Sequence, residues 1–170
     1  MAAIPGQLDR AASILPSVTH IVLTTSGNDL GVKDALTEVI VDNNYTAVEA
    51  KIQSLQPQLI NTYKTIKTRA NSGTKIYGIP YVDFISVGHK IPNEDQCHQV
   101  MQVFSDMVKS AASQAGIGFI EDVKGAFLGH EMYSADPYSN GLTGHDAAHP
   151  NLKGDNKIGQ VVAAYIQSQS

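Results

Sequence analysis

The stretch "THIVLTTSGNDLG" (Thr19 to Gly31) decides the fold. Its first half, Thr19 to Thr25, is rich in β-branched residues and continuously apolar at its centre. That is the pattern of a strand buried on both faces, as in parallel sheets. Its second half opens with Ser26-Gly27-Asn28-Asp29, a polar turn at the strand's carboxyl end. Open parallel sheets bind ligands beyond the carboxyl ends of their strands. Asn28 there can donate its side-chain amide to a developing oxyanion. Gly27 lets the backbone turn sharply and approach a substrate closely, and Asp29 supports the turn. The same residues equally form an ordinary turn, since Gly, Asn and Asp are all turn formers.

Working outward, the rest of the chain alternates helix and strand. Gly6 to Leu15 reads as a short helix with Leu8, Ala11, Ala12 and Leu15 on one face, stopped by Pro16. "VKDALTEVI" follows the turn as a helix. Thr46 to Ala70 is a longer helix with the stripe Val48, Ile52, Leu55, Leu59, Tyr63 and Ile66, kinked at Pro57. Thr74 to Pro80 is the second strand. Asn93 to Ala115 is a helix opened by an acidic first turn, and Ile117 to Asp122 is the third strand. A loop of about 30 residues rich in Gly, Tyr, Asp and His comes next, well above the usual connection length. The last helix, Asp155 to Gln167, carries Ile158, Val161, Val162 and Tyr165 on one face. This order implies a parallel sheet with helices on both faces, a three-layer α/β/α domain.

Composition sets limits on function. The chain of 170 residues suits one domain with a proper core. Its net charge of −4 and the lack of a basic stripe argue against nucleic acid as a partner. No apolar run is long enough to span a membrane. The first seventeen residues lack the charged and apolar regions of a signal peptide. The one cysteine, Cys97, has no internal partner and reads as a small apolar residue. Asn44-Tyr45-Thr46 is a glycosylation-type triplet, meaningful only in a secreted protein.

A second polar stretch, "GHDAAHPNLKG" (Gly144 to Gly154), lies just before the last helix. Histidine is the side chain suited to general-base work near neutral pH, and Asp146, three residues before His149, could orient its ring. Two other readings stand beside this one. Asp146 could cap a turn with His149 on the surface before Pro150. His145, Asp146 and His149 could ligate a metal, although no second cluster completes the coordination.

Together, "SGNDLG" after a buried strand and "DAAHPNLKG" before the C-terminal helix resemble the SGNH (GDSL-type) serine ester hydrolases. "AFLGHEMYSADPYSNGL" (Ala126 to Leu142) is similar to a loop of the secreted lipase-like branch, with Tyr133 where that branch tends to have Cys. The resemblance implies a flavodoxin-like fold and hydrolysis of lipid or small-alcohol esters without a cofactor or metal. It implies that Asn28 is the oxyanion donor, His149 the general base and Asp146 its orienting acid. It also favours a secreted or extracellular location. The first Gly of the family's Gly-x-Asn-Asp block is Ser26 here.

The family's nucleophile sits in a Gly-Asp-Ser block at the end of the first strand, and no such block occurs in this sequence. By the resemblance, the residues before Thr19 match the helix that follows the family's second block. The expectation is therefore a domain over residues 1–170 without the first two strands of the fold. Three explanations follow: part of a longer hydrolase, a short chain that has given up catalysis and serves as a binding module, or a substitute nucleophile such as Ser26 or Ser139. The strand Thr19 to Thr25 would then lie at an edge, open to self-association.

Overall fold

A computed structural model describes residues 1–169. The elements run α1 (Ile4–Arg10), β1 (His20–Leu23), α2 (Gly27–Leu30), α3 (Val32–Asp42), α4 (Tyr45–Ser54), α5 (Gln56–Arg69), β2 (Lys75–Gly78), α6 (Glu94–Ala115), β3 (Gly118–Phe119) and α7 (Leu152–Ser168). The three strands form one parallel sheet in the order β1-β2-β3. Ile21 pairs with Ile76, and Tyr77 with Gly118.

The layers follow from side-chain alternation along β2. Tyr77 and Gly78 point to opposite faces. On the Gly78 side lies Tyr63 of α5, so close that a Cβ on Gly78 would fall 2.9 Å from its hydroxyl. On the Tyr77 side lies Tyr165 of α7, edge-on, with ring centroids 5.6 Å apart. Thus α5 covers one face and α7 the other. The Tyr77 ring extends over β3, where a Cβ on Gly118 would come within 2.4 Å of it.

The core sits on the α5 side. The long helix α6 packs against α3, α4, α5, β2 and β3. Its apolar face, with Cys97, Val100, Met101, Phe104, Val108 and Ala111, is buried. The opposite layer is thin: Ile158, Val161, Val162 and Tyr165 of α7 are half-buried. β1 is an edge strand whose four residues are all half-buried.

Several boundaries differ from the sequence expectation. The first helix stops at Arg10, and Pro16 lies inside a 3₁₀ turn at Leu15–Ser17 rather than ending a helix. Proline suits the start of such a turn because its missing N–H would be unpaired there anyway. For the same reason, the expected kinked helix is two helices. The break falls at Leu55, and Pro57 occupies the first turn of α5. The strands are shorter than expected, and residues 121–125 form a 3₁₀ turn beyond β3. The last helix starts earlier, at Leu152, because the Asn151 side chain accepts the N–H groups of Lys153 and Gly154 at 3.0 and 3.1 Å.

Candidate active site

β1 delivers the chain to the Ser26 turn. Ser26 has φ +87°, a left-handed conformation that favours glycine. It is 2% exposed, and its hydroxyl has no hydrogen-bond partner. Gly27 opens the single turn α2 and donates its N–H to the Tyr81 hydroxyl at 2.8 Å. A Cβ on Gly27 would lie 2.0 Å from that hydroxyl, so the close approach required here is that of Tyr81. The Tyr81 ring is stacked on Phe104 of α6, with centroids 4.9 Å apart. Burial raises the Tyr81 pKa, the Gly27 hydrogen bond lowers it, and the Asp29 charge raises it again, leaving it above its ordinary value. The phenol is therefore neutral and its oxygen accepts.

This anchor presents Asn28 outward. Asn28 is exposed, and its amide makes no hydrogen bond among the described residues, which leaves both amide donors open to a ligand. Asp29 turns away and pairs with the Met1 amine at 2.6 Å.

His149 arrives from the far end of the sequence. Its carbonyl accepts the Asn140 N–H at 2.9 Å, and the neighbouring Ala148 N–H reaches Gly141 O at 2.6 Å. Ala148 is left-handed, with φ +61°. That twist brings the Ala147 carbonyl to the His149 ring, where Nδ1 lies 2.9 Å from it. A carbonyl can only accept, so Nδ1 carries a proton, and in the neutral ring the lone pair is on Nε2.

Asp146 does not take the orienting position expected of it. Its carboxylate pairs with His145 Nδ1 at 2.9 Å, and both side chains are largely exposed, 74% and 99%. The contact between Asp146 and His149 is through backbone, with the His149 N–H on the Asp146 carbonyl at 3.2 Å. Among the described residues, no three His, Cys, Asp or Glu side chains group closely enough to hold a metal ion.

Asn28 and His149 line the same cavity, about 630 Å³ in volume, together with Thr24, Ile79, Tyr81, Phe84, Val123 and Ile158. That volume falls in the usual range of small-molecule sites. Among the described residues, no serine or cysteine lines it. Ser139 is 7% exposed with an unpartnered hydroxyl. Cys97 is buried, and burial, helped by the Glu94 and Asp83 charges, pushes its thiol up to about 11. Sequence reading missed Tyr81 and the Ala147 carbonyl. An aromatic just past a strand's carboxyl end, in "GIPYVDF", is a signal that could have found the first.

The chain is a three-layer α/β/α domain with a parallel sheet and a cavity at the strands' carboxyl ends. Comparison with solved structures agrees. The chain superposes on phospholipase A1 from Streptomyces albidoflavus NA297 with a TM-score of 0.74 at 18% identity, covering 95% of this chain and 75% of that one. It superposes on the extracellular lipase from Streptomyces rimosus with a TM-score of 0.75 at 20% identity, covering 94% and 75%. No family model and no curated protein matches the sequence.

Proposed function

We propose that the chain is a carboxylic ester hydrolase domain, acting on lipid or small-alcohol esters, in which Asn28 holds the oxyanion and His149 is the general base. One observation carries the reading. Residues from opposite ends of the sequence, an unpartnered Asn amide and a His with a free Nε2, face one cavity. A nucleophile's hydroxyl attacks the ester carbonyl, and His149 Nε2 takes its proton. The carbonyl oxygen gains charge against the Asn28 amide, and Nε2 returns the proton to the leaving alcohol; water, deprotonated by the same Nε2, then attacks the acyl ester left on the nucleophile, releasing the acid and restoring the nucleophile's hydroxyl. The Ala147 carbonyl, in the role first given to Asp146, holds Nδ1–H and steadies the imidazolium.

The nucleophile is unassigned, because the cavity wall offers no serine or cysteine among the described residues. That observation favours a second reading, a domain that binds esters without cleaving them. The test uses methyl butyrate binding by NMR, p-nitrophenyl butyrate turnover and fluorophosphonate labelling. Binding with shifts confined to the Asn28 and His149 loops supports the site. Turnover lost in His149→Ala selects the hydrolase. Binding without turnover or labelling selects the binding domain. Absence of binding, or turnover that survives His149→Ala, overturns the assignment of the site.

A further inference from the structure

The connection between β2 and α6, residues 79–93, has two halves. The first walls the cavity with Ile79, Tyr81 and Phe84. The second is pinned to the start of α6 by a cluster that the ester chemistry does not use. Glu94, 5% exposed, accepts the Ser86 hydroxyl at 2.5 Å and the backbone N–H groups of His89 and Lys90 at 2.5 and 3.0 Å. One turn along α6, His98 places Nδ1 at 2.7 Å from the Asp83 carboxylate and Nε2 at 3.0 Å from the Ser86 carbonyl. Ser86 is fully buried, so no water stands by to replace a lost partner.

Both ring nitrogens of His98 therefore face oxygens that can only accept. A neutral imidazole has one N–H, and its other nitrogen would set a lone pair against a lone pair. The doubly protonated ring satisfies both contacts. We propose that His98 is an imidazolium clamp that holds the β2–α6 connection at Ser86, two residues past the cavity wall at Phe84, and releases it when pH rises.

The charged groups facing the ring are Asp83, from the connection, and Glu94, from its own helix. Partial burial lowers the His98 pKa. The hydrogen bond and charge of Asp83, the Ser86 carbonyl and the Glu94 charge outweigh it, and the net shift is upward. Because the folded value is raised, the clamp's contribution is fully present below the ordinary histidine value of about 6.5 and is lost as pH rises through the folded value. Glu94 stays ionised throughout. Burial pushes its carboxyl up, but the Ser86, His89 and Lys90 hydrogen bonds and the nearby His89 ring hold it below its ordinary value. On deprotonation the Asp83 carboxylate keeps the remaining proton on Nδ1. The Nε2 proton leaves to solvent, and the Ser86 carbonyl loses its donor. The segment from Phe84 to Lys90 then loses its His98 tie and keeps the Glu94 contacts, the Met132 N–H on the Phe84 carbonyl and the Lys90 ammonium on the Tyr133 carbonyl.

This inference goes beyond the ester hydrolase reading and does not depend on it, because its test needs no substrate. NMR of the ¹⁵N-labelled chain reads the His98 ring directly. Below the midpoint both ring nitrogens should carry protons, and the midpoint should lie above the ordinary histidine value. Amide exchange at Ile85, His89 and Lys90, corrected for intrinsic base catalysis, should lose protection several-fold across that midpoint. In His98→Gln the pH dependence should vanish, and in Asp83→Asn the midpoint should fall. A ring that titrates at or below the ordinary value overturns the clamp. So does wild-type protection that is flat or rising through the midpoint. The wild-type titration decides the matter even where a variant does not fold.

Discussion

Replacing Ser26 by glycine should stabilise the protein, a rare direction for a substitution at a buried position. Two costs are removed together. A left-handed backbone at a residue with a Cβ, here φ +87°, costs about 1–2 kcal/mol. A buried hydroxyl without a partner costs about 1–3 kcal/mol. Against them stands the greater freedom of glycine in the unfolded chain, about 0.5–1 kcal/mol. The net is a gain of about 1–4 kcal/mol, or about 2–4 °C in Tm for each kcal/mol in a domain of this size. Ser26→Ala separates the two costs, since it deletes the hydroxyl and keeps the strained φ. Thermal and urea unfolding of the three proteins should rank them Gly, Ala, Ser. If Ser26→Gly melts below the parent while Ser26→Ala melts above it, the left-handed conformation is not the source of strain and the reasoning fails.

Tyr81→Phe should cost about 1–3 kcal/mol by leaving the Gly27 N–H without its acceptor, and hydrogen exchange at Gly27 should rise accordingly; unchanged exchange would mean water replaces the hydroxyl. Asp146→Ala should leave the His149 tautomer, read from ring ¹⁵N shifts, as it is, and should change stability by no more than about 0.5 kcal/mol; a tautomer switch would restore Asp146 as the orienting group. β1 presents an unpaired edge with the apolar sequence Ile21-Val22-Leu23, so the chain should self-associate with rising concentration in size-exclusion chromatography with light scattering, and a charge at exposed Thr19 (Thr19→Lys) should shift it toward monomer. A monomer at all concentrations counts against the open edge.

What was legible in the sequence was carried by local pattern. The apolar centre of β1, the helical stripes and the glycine-asparagine turn are each set by residues next to one another in the chain, so order, parallel sheet and layers follow from them. What was not legible was set by contacts distant in sequence. Asp146 stands three residues from His149, a spacing that suggests a side-chain contact. The left-handed Ala148 rotates the backbone so that a carbonyl gets there first. Glu94 looks like an acidic residue placed for the dipole of α6, yet its partners are Ser86, His89 and Lys90 on the preceding connection. The strand-end position of Tyr81 can be read locally, but its partner, Gly27, lies 54 residues earlier and shows only in the fold.

The two halves of the candidate site are held by different physics. The Asn28 half stands on buried ground: Ser26, Gly27 and Leu30 are all buried, and Tyr81 is clamped between Gly27 and Phe104. The His149 half is a loop in which Gly144, His145 and Asp146 are exposed and Ala147 is buried, tied mainly by backbone hydrogen bonds to Asn140 and Gly141. Segments with few buried contacts open locally at lower free energy than the core. Under the proposed hydrolysis, this division suits the roles given to Asn28 and His149. A donor to a developing oxyanion contributes most when it is fixed beforehand and need not reorganise as charge appears. A base must keep the correct tautomer while it moves a proton between two oxygens. The Ala147 carbonyl, two residues from the ring, fixes that tautomer locally and travels with the loop. A distant carboxylate would break its contact if this loop opened, whereas the Ala147 carbonyl would move with it, so under the proposed function the ring would keep its tautomer through such an opening.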